Sequence, residues 1–118
     1  MVGTASDFLK FLEAIRTRAS FAPKNWLDEM TRDQIPDLDS PILGDGWGYG
    51  FGVGILRDKQ RASSSLETGA IRWGGAYGHA WVIDPTRNLS AVLMTNTAFE
   101  GMAGQTRDDF QRALDGGR

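Results

Sequence analysis

Between Gly46 and Gly54, glycine occupies every second position, and the residues between the glycines are large and apolar or aromatic. Successive side chains of a β-strand point to opposite faces, so this pattern predicts one strand with a large apolar face and a face without side chains. The bare face lets another backbone or a helix approach closely. The apolar face comprises Trp47, Tyr49, Phe51, Val53 and Ile55.

Two helices are predicted before this strand. Thr4 and Asp7 fit a capping box, which satisfies amide donors of the first helical turn, and a second helix is predicted from Pro23 to Thr31. The stretch from Asp33 to Asp45 is rich in proline and aspartate and is predicted to be a loop. The residues expected to face the core are Phe8, Phe11, Leu12 and Ile15 in the first helix and Trp26, Leu27 and Met30 in the second.

Further strands and a helix are predicted after the glycine-rich strand. Polar residues 57–68 favour an exposed connection, and strands are expected at 69–74, 80–84 and 89–95. The last two strands form a hairpin, because Asp84 to Asn88 is typical of a turn. A final helix is expected, with Thr106 and Asp109 as a capping box, Gly116 as its C-terminal cap and a buried stripe of Phe110, Ala113 and Leu114.

These elements predict an α+β fold: an antiparallel sheet of three to four strands, with helices before and after it. The 118 residues suffice for one hydrophobic core. We therefore expect a single domain, with a helical part at 1–45, antiparallel strands at 46–97 and a C-terminal loop and helix at 98–118.

Composition excludes several functional classes. There is no cysteine and one histidine, so thiol chemistry is excluded and no metal or cofactor is expected. The net charge of −2 favours neither nucleic acid nor a membrane surface as a partner. Asp37, Asp39 and Asp45 lack the spacing of a calcium-binding loop, and we expect a solvated acidic loop instead. No signal peptide is evident, a soluble chain is expected, and its compartment stays open.

Two stretches resemble one protein family. The glycine-alternating segment 46–54 and the segment from Arg72 to Pro85, continuing to Met94–Thr97, resemble the C-terminal region of serine hydrolases of the β-lactamase and penicillin-binding-protein superfamily. The likeness is to class C β-lactamases and to esterases of that fold, and it extends over essentially the whole chain. The resemblance implies a partial β-lactamase-like fold.

The resemblance also implies a site. The residues Trp73, Gly74 and Gly75 stand where β-lactamases carry the Lys-Thr-Gly motif, and small residues there let a substrate approach the strand edge. By similarity, the amide of Ala76 would be one donor of the oxyanion hole. Trp73 to Ala76 are thus the expected substrate-binding residues. The alternative is that Gly74 and Gly75 only mark a strand kink or bulge.

The chemical centre of that family is missing from this sequence. The superfamily's nucleophile is the serine of Ser-x-x-Lys, and neither this motif nor Tyr-x-Asn, Tyr-x-Ser or Gly-x-Ser-x-Gly occurs in the 118 residues. We therefore expect a truncated hydrolase region that is not catalytic alone. The strand at 89–95 is expected to have an unpaired edge, which favours a homodimer or docking of the missing N-terminal portion.

Two alternatives remain open. One is a small hydrolase of esters, lactones or β-lactams, with a site around Trp73–His79 assembled in an oligomer and His79 and Tyr77 as candidate catalytic residues. Asp84 is expected on the opposite strand face from His79, so the two form no ready dyad. The other is a ligand-binding or interaction module, in which the aromatic residues Trp47, Tyr49, Trp73, Tyr77 and Trp81 line a pocket.

Overall fold

Five antiparallel strands follow one another in the sheet in the same order as in the chain, in a computed structural model that describes residues 3–116. Helices precede and follow the sheet, so the predicted α+β class is confirmed, with five strands instead of three to four. The strands are β1 (Trp47–Tyr49), β2 (Gly54–Leu56), β3 (Ile71–Gly74), β4 (Ala80–Asp84) and β5 (Leu89–Leu93). The helices are α1 (Ala5–Arg16), α2 (Lys24–Met30), α3 (Glu100–Ala103) and α4 (Gln105–Leu114).

The additional strand comes from the glycine-rich segment, which forms a hairpin instead of the predicted single strand. Strands β1 and β2 pair with each other, and the amide of Gly50 donates to the carbonyl of Val53 at 2.8 Å to close the turn. Gly52 adopts a φ of +75°, which glycine tolerates without strain. Phe51 consequently lies at the hairpin tip with 60% of its surface exposed, and not on a buried face.

The expected close approach to the glycines is confirmed, although it occurs on a hairpin. A Cβ atom at Gly48 would overlap the carboxylate of Asp33, and one at Gly54 would overlap the side chain of Leu43. The loop before β1 therefore packs directly on the backbone of the first two strands.

The core consists of two apolar clusters. Helices α1 and α2 contribute Leu12, Ile15 and Leu27 to a cluster that includes Ile55 and Trp81. A second cluster is packed against Phe110 and Leu114 of α4, and its buried members are Trp47, Leu56, Leu66, Ala70 and Val82. Helices therefore cover the sheet with apolar side chains from both ends of the chain.

The first two helices lie close to their predicted positions, but not all of the side chains that were predicted to face the core do so. Thr4 caps α1 through a hydrogen bond that its hydroxyl accepts from the amide of Asp7, as expected. Phe11 is exposed, and Trp26 in α2 is 67% exposed, so both predictions of burial were wrong. Helix α2 has only seven residues and buries Leu27 alone, because so short a helix presents one contact stripe to the sheet.

The C-terminal helix begins differently from the prediction. Gly104 is the N-cap of α4, and the carboxylate of Glu100 in α3 accepts from the amide of Thr106 at 3.2 Å. The predicted capping box was therefore wrong: a neighbouring helix supplies the acceptor. Ala113 is exposed, whereas Gly116 ends the helix as predicted, with a φ of +73°.

Arg57 fixes the loop from Asp33 to Asp45. Its guanidinium donates to backbone carbonyls of that loop and forms ion pairs with Asp33 at 3.4 Å and Asp39 at 2.9 Å. Asp39 also pairs with Arg61 at 2.5 Å. The prediction of a solvated acidic loop was thus wrong at Asp39, and among the described residues no cluster of acidic or histidine side chains is arranged to hold a metal ion.

An ion pair on α1 should make stability depend on pH. Arg16 donates to both carboxylate oxygens of Glu13, at 2.9 and 2.7 Å, and this lowers the pKa of Glu13 from 4.5 to about 2. The stabilisation is present above the unfolded pKa and is lost as the pH falls through the folded one. We expect the urea midpoint of the wild type to exceed that of Glu13→Gln at neutral pH and to converge with it towards about pH 2. A gap that is constant across this range would contradict the prediction.

Candidate functional site

The substrate-binding residues suggested by the sequence lie where β3 extends past the end of β2. Strand β3 pairs with β4 from Ile71 to Gly74, but its register with β2 covers only Ile71 and Arg72. Trp73 and Gly74 therefore have a strand neighbour on one side only within the described residues. A strand edge of this kind presents main-chain donors and acceptors to an extended ligand.

A tight turn joins β3 to β4 at this edge. The amide of Gly75 donates to the carbonyl of His79 at 3.0 Å, and the amide of Gly78 donates to that of Gly75 at 2.9 Å. Gly78 has a φ of +96°, which few other residues would adopt. Gly74 thus ends the strand and Gly75 begins the turn. The two glycines therefore do not form a kink within a continuous strand.

The segment after β5 holds the turn from outside. The hydroxyl of Thr95 donates to the carbonyl of Gly78 at 2.9 Å, and the amide of Phe99 donates to the carbonyl of Ala76 at 2.9 Å. The amide of Ala76 donates to no acceptor within residues 3–116, and the residue is exposed. An amide without an acceptor at an exposed position is what an oxyanion-hole donor requires, and the amide of Tyr77 in the same turn also has no acceptor among the described residues.

The remaining side chains of the predicted site do not converge on one point. Trp73 is half-buried and packs edge-to-face on Tyr49, with ring centroids 5.2 Å apart. Tyr77 is 89% exposed. The imidazole of His79 lies over Gly75, since a Cβ atom there would stand 2.7 Å from Nε2 and 2.8 Å from Nδ1. The glycine at position 75 therefore makes room for the histidine ring.

Asp84 has a structural role in this chain, away from His79. Its carboxylate is completely buried and accepts from the amides of Glu67 at 2.9 Å and Arg87 at 3.1 Å. Both oxygens are thereby occupied by backbone donors of two loops. The expectation that Asp84 and His79 form no dyad agrees with this arrangement.

The five aromatic residues that were weighed as a ligand pocket are dispersed. Trp47 and Trp81 belong to the two different core clusters, whereas Trp73 is the register partner of Trp81, packs against its cluster and contacts Tyr49. Tyr77 projects into solvent at the turn. The prediction of one aromatic box is wrong, because Trp47 is buried in the other core cluster and Tyr77 is exposed.

Helix α3, which the sequence analysis missed, packs directly on the turn. A Cβ atom at Gly101 would overlap the carbonyl oxygen of Gly78, and Phe99, the N-cap of the helix, has a φ of +68°. The sequence signal for α3 was weak because the helix has four residues and contains a glycine.

The contact between Gly101 and the turn leads to a stability prediction. Gly101→Ala should lower the free energy of unfolding by about 1–3 kcal/mol, because the methyl group meets backbone atoms that cannot yield without moving the turn. Urea denaturation measures the effect. Gly3→Ala is the matched control, since a Cβ atom at Gly3 meets nothing within 4 Å. A Gly101→Ala protein as stable as this control would contradict the prediction.

Comparisons with known proteins place the fold in one family. Residues 1–115 match the beta-lactamase family. The chain is 42% identical over 104 residues to Esterase EstB of Burkholderia gladioli, which covers 88% of this chain and 26% of EstB. It also resembles the solved structure of EstCE1, a hydrolase with promiscuous acyltransferase activity, with a TM-score of 0.82 and 36% identity over 95% of this chain and 29% of that one.

The chain thus spans between a quarter and a third of the length of these two relatives. None of the helices within residues 3–116 has the length and apolar character needed to cross a bilayer. The family match covers nearly every residue, and the structural likeness to EstCE1 extends over the same part of the chain. The chain belongs to the beta-lactamase family.

Proposed function

We propose that this chain forms the substrate-binding edge of an ester hydrolase and is not catalytic by itself. The observation that carries the proposal is the exposed amide of Ala76, held in place by the contacts of the turn and without an acceptor in the described part of the chain. This donor stabilises the oxyanion that develops when a nucleophile attacks an ester carbonyl. Trp73 and Gly74 line the same edge and bind the acyl portion of the substrate.

The substrate class is proposed from the relatives. EstB is named an esterase and EstCE1 a hydrolase with promiscuous acyltransferase activity, and an ester carbonyl is the substrate group that we propose for this chain. A lactone or β-lactam carbonyl presents the same electrophile to the edge. The nucleophile comes from a polypeptide segment other than these 118 residues, since they contain no Ser-x-x-Lys motif.

Two assays test the proposal. The purified chain should not hydrolyse a p-nitrophenyl ester or a chromogenic β-lactam above the buffer blank. A chimera in which residues 3–116 replace the matching part of EstB should hydrolyse the ester. A folded chimera without activity would overturn the proposed role of the edge.

The competing hypothesis, a small hydrolase built around Trp73–His79, predicts the opposite result for the purified chain. Turnover by the chain alone that disappears in His79→Ala would establish that hypothesis. Equal rates in the wild type and His79→Ala, at the level of the blank, agree with the present proposal.

We further propose that β5 forms pairs with a second copy when the chain is alone. The strand is last in the sheet order and pairs only with β4 among the described residues, and four of its five half-buried residues are apolar. An edge of this kind favours strand addition. Sedimentation velocity should show a dimer whose fraction rises with concentration, and a monomer at all concentrations would contradict the proposal.

A further inference from the structure

A cleft of about 190 Å³ lies on the face of the sheet that α4 covers, outside the turn after β3. Trp47 and Arg72 form its base, and Arg107, Asp108 and Gln111 of α4 line it together with Ser64. The cleft is smaller than the sites that accept drug-sized ligands, so its size suits a small ion or metabolite.

Arg72 is the unusual residue in this cleft. Its guanidinium is stacked over the indole of Trp47, 5.4 Å from the ring centroid. Burial lowers the pKa of Arg72, and the positive charge of Arg107 nearby adds to this effect. Within residues 3–116 Arg72 forms no ion pair, whereas the other half-buried arginines Arg16, Arg57 and Arg107 each bind a carboxylate.

An arginine that is removed from water without an anion is costly, because its hydration is lost and no charge replaces it. The stacking on Trp47 recovers part of that cost. The planar edge of the guanidinium, with its fixed fork of N–H donors, remains suited to binding an oxyanion.

The neighbouring groups leave the charge of Arg72 uncompensated. Arg107 donates to the carboxylate of Asp108 at 2.9 and 2.8 Å, so these two charges neutralise each other. The hydroxyl of Ser64 accepts from the amide of Leu66 at 3.2 Å, which leaves its own proton to be donated. The lining side chains thus carry one net positive charge and an additional hydroxyl donor.

We propose that this cleft is a binding site for a small carboxylate anion, held by the guanidinium of Arg72. A carboxylate matches the arginine fork in two parallel hydrogen bonds. One negative charge also balances the net charge of the cleft, whereas a doubly charged phosphate would leave the cleft with an excess negative charge. The site is independent of the proposed ester hydrolysis, since none of its lining residues belongs to the turn at Ala76.

Titration of the 118-residue chain with sodium acetate, followed by ¹H–¹⁵N NMR, tests the proposal. The side-chain Nε–H of Arg72 and the backbone amides around Ser64 and Arg107 should shift and saturate. Sodium chloride at equal ionic strength should leave them in place, and sodium phosphate should bind more weakly than acetate. Shifts that are equal in chloride, or binding of phosphate in preference to acetate, would overturn the assignment.

Substitutions of Arg72 test whether this side chain binds the acetate ion. Arg72→Met should abolish the saturable shifts, and Arg72→Lys, which keeps the charge without the fork, should weaken binding by about tenfold. Arg112→Met is the matched control. Arg112 lies in α4, the helix that borders the cleft, but it pairs with Asp109 and does not line the cleft. Should Arg72→Met fail to fold, the lysine variant decides: acetate affinity equal to that of the wild type would refute the role of Arg72.

Discussion

Ala76→Pro should lower kcat for ester hydrolysis by about 100- to 1,000-fold in the EstB chimera that carries this chain. Ala76→Pro removes an amide of the turn that has no acceptor in the described residues; the amide of Tyr77 also has none, so the substitution tests Ala76 specifically. Loss of a single oxyanion-hole donor has effects of this size, because the donor acts on the charge that develops in the transition state. Steady-state kinetics with a p-nitrophenyl ester measures the change.

The matched control retains the amide at this position. Ala76→Val adds side-chain volume without removing the N–H group, so kcat should stay within a few-fold of the unsubstituted chimera. Circular dichroism and thermal unfolding of both variants separate loss of the donor from loss of the fold. If the valine and proline variants lose activity equally while folded, the amide of Ala76 is not the donor.

Removal of the Asp84 carboxylate should cause the largest loss of stability. Asp84 is completely buried and accepts from the amides of Glu67 and Arg87. Hydrogen bonds to a charged group contribute more than neutral ones, so Asp84→Ala should reduce the free energy of unfolding by about 3 kcal/mol. For a chain of this length, that corresponds to a fall of roughly 12 °C in Tm.

Two variants define the origin of that loss. Asp84→Asn keeps the size of the side chain and one accepting oxygen, so it should lose about half as much stability as Asp84→Ala. Asp37→Ala removes an exposed acid and should leave Tm within about 2 °C of the wild type. Equal midpoints for Asp84→Ala and Asp37→Ala would show that the buried hydrogen bonds add nothing to stability.

Much of the local structure follows from short-range chemistry and could be predicted. Thr4 caps α1 through the amide three residues later, and the turn from Asp84 to Asn88 joins β4 to β5. Both features depend on neighbours in sequence, so the residues that form them are sufficient to indicate them. The family resemblance rested on a comparably local pattern, the glycine alternation followed by Trp73-Gly74-Gly75, and the comparison with the beta-lactamase family confirmed it.

Predictions failed where a distant residue decided the local structure. The glycine-rich segment became a hairpin because Met30 and Asp33 pack on its backbone: the amide of Phe51 donates to the carbonyl of Met30 at 3.0 Å. The start of α4 is satisfied by Glu100 of another helix instead of its own Thr106. Alternation and capping patterns indicate which local structures a segment can adopt. The contacts with distant residues decided which of these structures formed.

The sequence by itself determined the family, the α+β class and the positions of most elements. It also indicated the residues around Trp73 as candidates for substrate binding. Only the tertiary structure decided that the amide of Ala76 is fixed and exposed, that Asp84 is bound to two loops and that Arg72 lies in a cleft without a carboxylate partner in the described residues. The physical reason is that burial and pairing are properties of groups brought together from distant parts of the chain. Periodicity can place a side chain on a face, but it cannot specify what the fold packs against that face.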